Sequence, residues 1–165
     1  MEVARIKSPE QAYSFKPADK LNGILSIHKF NSTLSSSLKK TIIPILREKN
    51  SALVIDLRNC TEGSIEEAFL FINHFLQKDK IGYLHGKDTH KDISCPDKAE
   101  LDALPLIIWI NQATIGPAEI VAGVLQKFRN TKIIGMKTPG FTAKRDFITL
   151  NDGSALLLAT LIFRF

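Results

Sequence analysis

Three side chains able to act as nucleophiles follow short apolar runs: Cys60 and Ser64 after Ala52 to Leu57, and Thr114 after Leu106 to Ile110. Two lysines further on, Lys137 and Lys144, are candidate bases. A hydroxyl or thiol within hydrogen-bond reach of an amine whose pKa is lowered by burial can carry out acyl transfer. Such a reaction also needs backbone N–H groups aimed at the developing oxyanion. Glycine stands near each candidate, Gly63 beside Ser64 and Gly116 two residues after Thr114. Cys60 has no histidine next to it in sequence, which weighs against a thiol nucleophile.

Three segments carry a family resemblance. Asn111-Gln112-Ala113-Thr114-Ile115-Gly116-Pro117-Ala118-Glu119-Ile120 lies between an apolar strand and a helix, and Gly135-Met136-Lys137-Thr138-Pro139-Gly140-Phe141 follows the next strand. Both resemble the tail-specific (C-terminal processing) serine peptidases. In that family the first segment reads roughly Asn-x-Gly-Ser/Thr-Ala-Ser-Ala-Ser-Glu-Ile, with the nucleophilic serine sixth. The second reads roughly Gly-x-x-Thr-x-Gly-Lys-Gly, and its lysine is the general base. On this alignment the serine position is Gly116, the lysine position is Phe141, and the family's glutamine four residues later is Arg145. The third segment, Ala52 to Gly63, matches an apolar strand followed by Asp-Leu-Arg-Asn-Asn-x-Gly-Gly, with Glu62 in place of the first of the paired glycines and Gly63 as the second.

The departures share one chemical meaning. Glycine offers no nucleophile and phenylalanine accepts no proton. The residue after the nucleophile normally gives a backbone N–H to the oxyanion hole, a donor worth about 3–4 kcal/mol of barrier. Here that residue is Pro117, which has no N–H. A carboxylate at Glu62 would oppose a developing negative charge. The resemblance therefore implies a crotonase/ClpP-like α/β layered core with mostly parallel strands and a C-terminal β-hairpin, whose catalytic set is degenerate.

Composition sets outer bounds. The chain has 165 residues, 44% of them hydrophobic and 24% charged, which suits one globular domain with a sizeable core. No apolar run approaches the roughly 20 residues that span a bilayer. Met1 to Lys20 carries charges and prolines without an apolar stretch, so it reads as an N-terminal arm or lead-in strand rather than a signal peptide, with the core domain over 21–165. No PDZ module is visible in the sequence. The formal charge of +5 is scattered, and no aromatic ladder accompanies it, which argues against nucleic acid as a partner. His85, Asp88, His90, Asp92 and Cys95 fall within eleven residues but fit no standard zinc spacing, so neither metal nor cofactor is expected. Cys60 and Cys95 do not make a disulfide framework.

The elements that would position the site follow from periodicity. Strands are predicted at Gly23 to Phe30, Ala52 to Leu57, Ile81 to His85, Leu106 to Ile110 and Lys132 to Gly135. Helices are predicted at Thr33 to Lys49, Ser64 to Leu76 and Pro117 to Phe128, the last with proline well placed in its first turn. A polar loop is expected from His85 to Leu104. Asn151-Asp152-Gly153-Ser154 marks a hairpin turn between Phe147 to Leu150 and Ala155 to Phe163.

Three functions are compatible with these residues. One is a catalytically silent peptidase-like domain that binds a peptide or protein segment in a cleft near Glu62, Gly63, Gly116, Pro117 and Lys137. The second is an active hydrolase with a relocated nucleophile at Thr114, Ser64 or Cys60. The third is a carrier of a small apolar ligand, on a fold similar to the retinoid-binding repeats of the photoreceptor matrix. Compartment and partner are left open by the sequence, and so is oligomerisation.

Overall fold

The computed structural model describes residues 11–18, 21–47 and 52–165. A five-stranded sheet forms its centre, in the order β1 (Tyr13–Ala18), β2 (Leu21–Ile27), β4 (Leu53–Asp56), β8 (Leu106–Ile110), β9 (Lys132–Gly135). From β2 to β9 every pairing is parallel, with Leu25 beside Ile55 and Ile55 beside Ile108. These residues and Leu53 are essentially inaccessible, as expected of strands that cross a core rather than skirt it. β1 runs antiparallel to β2 and forms the edge, so the lead-in segment is part of the sheet over Tyr13–Ala18. The rest of the expected arm, 1–10 and 19–20, lies outside the described residues.

Crossovers between the parallel strands supply the helices. The single helix expected from Thr33 is divided into α1 (Leu34–Thr41) and α2 (Ile43–Arg47). Pro44, in the first turn of α2, accounts for the break, since it has no N–H to bond the preceding turn. The predicted end of that helix at Lys49 lies outside the described residues. α3 (Ile65–Asn73) begins at Ser64, whose hydroxyl accepts a bond from the Glu67 N–H at 3.1 Å. α4 (Pro117–Arg129) is buried along one side by Ala118, Ile120, Val121, Val124 and Leu125.

A second sheet, wholly antiparallel, runs in the order β10 (Ala143–Thr149), β11 (Ala155–Arg164), β6 (Lys78–His85), β7 (His90–Cys95). The polar loop expected after His85 is therefore corrected: part of it is the strand β7. Ile93 and Cys95 are buried on one face and Asp92 and Ser94 are exposed on the other, while Lys91, on the inward face, is exposed near the strand's end, so the period-two signal is short. The C-terminal hairpin is likewise not an appendage, because Phe163 pairs with Leu84 and joins it to β6. α3 packs between β3 (Lys29–Phe30), which pairs with a short strand at Glu62–Gly63, and the second sheet. Phe71 meets Phe30 edge-on at 5.7 Å on one side, and Phe69 meets Phe163 at 5.4 Å on the other. No helix among the described residues is long and apolar enough to cross a membrane.

Candidate functional site

The loops after β4 and β8, adjacent parallel strands, are stitched together by side chains. Asn111 donates from Nδ2 to Asn59 Oδ1 at 2.9 Å and accepts from the Asn59 N–H at 3.1 Å. The Ile115 N–H bonds the Cys60 carbonyl at 3.0 Å. Thr114 Oγ1 donates to the Leu57 carbonyl at 2.9 Å and accepts from the Asn111 N–H at 2.9 Å. Two of the segments that carry the resemblance thus form one platform.

Glu119 brings in the third. Its buried carboxylate reaches back from the first turn of α4 and accepts three backbone N–H bonds. Gly116 donates to Oε2 at 2.9 Å, Gly140 to Oε1 at 2.5 Å and Phe141 to Oε2 at 2.8 Å. Gly116 and Phe141, the residues that the motif alignment sets at the serine and lysine positions, are held side by side by one side chain. A Cβ added to Gly116 would have the Phe141 carbonyl oxygen as its nearest neighbour, 3.8 Å away. Gly116 itself adopts φ 67°, ψ −117°, a backbone state that residues with a Cβ rarely take. Phe141 is 62% exposed.

Beside this junction opens a cleft of about 680 Å³. One wall runs from Thr61 to Glu66, with Glu62, Gly63 and Ser64, and the other is β10 from Ala143 to Phe147; Ile115 and Pro117 line it too. Lys144 and Glu66 pair across it at 3.4 Å, and Asp146 lies 3.8 Å from the same ammonium. Arg145, at the glutamine position, lines the cleft just after a register irregularity in β10.

The structure sorts the sequence candidates. Thr114 is fully buried with its hydroxyl engaged on both sides, and no lysine is among those partners. Cys60 is also buried, and its thiol is pushed up to about 12, first by burial and further by the Glu62 carboxylate. Ser64 does line the cleft, but its oxygen caps α3. Lys144 shares that cleft as a cation paired with carboxylates. Lys137 is exposed on the turn after β9 and is not among the lining residues, because the chain is drawn to Glu119 only at Gly140. Gly63 is required by packing: its φ is 126°, and a Cβ there would overlap the backbone of Phe30, with which it pairs.

Two contributions were not apparent from motifs. The clamp role of Glu119 was masked by its place in a first helical turn, where any carboxylate suits the dipole. The pairing of Asn59 with Asn111 depends on β4 and β8 being neighbours, and the only local signal is an asparagine soon after each strand. Arg58 serves structure. It binds Asp56 in two-pronged fashion at 2.8 and 2.7 Å and lies 5.0 Å over the Trp109 ring. Burial alone would raise the Asp56 carboxyl, but the hydrogen bonds and charge of Arg58 outweigh it and hold it below the usual carboxylate range. Among the described residues no cluster of histidine, cysteine or carboxylate side chains is fit to hold a metal ion.

The sequence pattern of peptidase family S41 matches residues 22–164. The chain belongs to peptidase family S41. It is 27% identical over 159 residues to a probable CtpA-like serine protease of Staphylococcus aureus, covering 94% of this chain and 32% of that protein. A probable CtpA-like serine protease of Staphylococcus haemolyticus is 26% identical over the same length and coverage. The S41 chain spans about a third of the length of these curated relatives. Among solved structures, the photosystem II D1 C-terminal processing protease superposes with a TM-score of 0.79 at 18% identity, over 93% of this chain and 44% of that one. A lipoprotein from Streptococcus agalactiae superposes with a TM-score of 0.64 at 21% identity, over 93% and 59%. At these identities the two structures speak for the fold, the layered α/β core that the sequence motifs imply.

Proposed function

We propose that this S41 domain binds an extended peptide or protein segment in the cleft beside Gly116 and does not hydrolyse it. One observation carries the reading: the Glu119 carboxylate joins the serine and lysine positions as a working site would need, yet those positions hold Gly116 and Phe141. Pro117 removes an oxyanion donor at the same place, and Glu62 adds a negative charge near it. Binding needs neither nucleophile nor base, and β10 is the outer strand of its sheet, so its outward edge can pair with an added strand.

A relocated nucleophile is disfavoured by the surroundings of each candidate. Thr114 and Cys60 are buried, the Ser64 oxygen caps α3, and the Lys144 ammonium that shares its cleft is paired with Glu66 and Asp146. A small apolar ligand is disfavoured by the charged walls of an open cleft. The test is incubation of the folded chain with unstructured casein and hydrophobic-tailed peptides, with products read by mass spectrometry. Intact peptides that nonetheless bind agree with the proposal. Cleavage abolished by Thr114→Ala, Ser64→Ala or Cys60→Ala overturns it.

A further inference from the structure

Ala155-Leu156-Leu157-Leu158-Ala159 is an unbroken apolar run, the pattern of a strand with a neighbour on each side and cover on both faces. β11 has two neighbours only at its far end, where Ile162, Phe163 and Arg164 pair with β6. Over Ala155–Ala159 it pairs with β10 on one side, and among the described residues no strand lies on the other. The β6–β7 turn marks where that ladder stops, since a Cβ on Gly86 would run into the Thr160 carbonyl and Leu161. Leu156, Leu157 and Leu158 are left 44%, 49% and 44% exposed. No charge and no proline protects this edge, whereas the outer strand β10 carries Lys144, Arg145 and Asp146.

What completes such an edge is another strand. Lipid or a small apolar ligand could cover the leucines, but neither can bond the free N–H and C=O groups between them. The sequence points to the strand that fits. Ser154-Ala155-Leu156-Leu157-Leu158-Ala159-Thr160 reads nearly the same in both directions. Laid antiparallel on its own copy about Leu157, it sets leucine against leucine, alanine against alanine and serine against threonine, with no like charges opposed. We propose that two copies of this chain associate through β11, pairing Ala155–Ala159 across a two-fold axis at Leu157, so that both hairpins join in one four-stranded sheet. The two edges would bury about 800 Å² in all, below the size of a stable complex, so the dimer is a weak one that forms and parts with concentration.

Sedimentation velocity on the full chain, from about 1 to 100 µM, should show a monomer–dimer equilibrium. Leu157→Lys and Leu157→Glu each oppose like charges at the axis and should weaken the dimer about tenfold or more, while an equimolar mixture of the two variants should restore it. Ile148→Lys removes an exposed apolar side chain from β10 of the same hairpin without touching the edge, and should change the dimer less than about twofold. A measurement that needs no variant is amide exchange in the natural chain, which should slow at Leu156 to Leu158 as concentration rises. A monomer at every concentration overturns the proposal, whether it stays free or floats with phosphatidylcholine vesicles. So does a dimer that withstands both charges at Leu157, or one that Ile148→Lys breaks as readily and the mixture does not restore.

Discussion

The Glu119 carboxylate accepts the backbone N–H of Phe141 at 2.8 Å, so this stretch of chain is held through its main chain, whatever side chain position 141 bears. Glu119→Gln would put an amide donor against one of the N–H groups it now accepts. We expect a loss of about 1–3 kcal/mol, the cost of a buried donor left without an acceptor. Denaturant unfolding measures it, and hydrogen exchange should show faster exchange at Gly140 and Phe141 while the β4–β8 pairing stays protected.

Two glycines near the cleft should respond differently to alanine. At Gly116 there is room for a Cβ, so the cost is backbone strain alone, of order 1–3 kcal/mol. At Gly63 the same strain is joined by overlap with Phe30. Thermal melts should place Gly63→Ala below Gly116→Ala, and the reverse order would contradict the packing at β3 (Lys29–Phe30) and β5 (Glu62–Gly63).

Cys60 should be chemically quiet. With its thiol pushed up to about 12 and no exposed surface, it carries almost no thiolate at neutral pH. Iodoacetamide at pH 8 should leave Cys60 unmodified in the folded chain and alkylate it after denaturation, as peptide mass spectrometry would reveal. Rapid modification in the folded state would reopen the thiol as a nucleophile.

Stability should fall on mild acidification through His74. Burial lowers its pKa below the ordinary histidine value, against the opposite pull of Glu100, and its Nε2 has no hydrogen-bond partner among the described residues. The unfolded chain then takes up the proton more readily than the folded one. The associated stability is present above the unfolded value near 6.5 and is lost as pH falls through the folded one. His74→Gln should flatten the profile of unfolding free energy across that window; an unchanged slope would assign the acid sensitivity elsewhere.

Much of this was legible in one dimension. The runs Leu53 to Ile55 and Leu106 to Ile108 announce buried parallel strands because both of their faces must be apolar. Ser64 and Pro117 mark helix starts for reasons internal to a single turn. The identities of Gly116, Pro117 and Phe141 need no coordinates to argue against acyl transfer. β7 is hidden because a lysine, Lys91, stands on its inward face and only Ile93 and Cys95 carry the apolar signal there. The break at Ile42 was overlooked because the apolar spacing runs straight through Pro44.

By itself, then, the sequence determined which chemical groups are present, most of the segments that are strand or helix, and the family to which they belong. Tertiary structure alone decided which of those groups meet. Whether Thr114 is a nucleophile or a strut depends on Leu57, fifty-seven residues earlier, being close enough to accept its proton. Whether Glu119 serves a dipole or clamps a site depends on the chain returning at Gly140 and Phe141. Local propensity reaches only a few residues along the chain. Solvent exclusion and hydrogen-bond partnership are set by what packs alongside, and the crossovers of the central sheet arrange that packing.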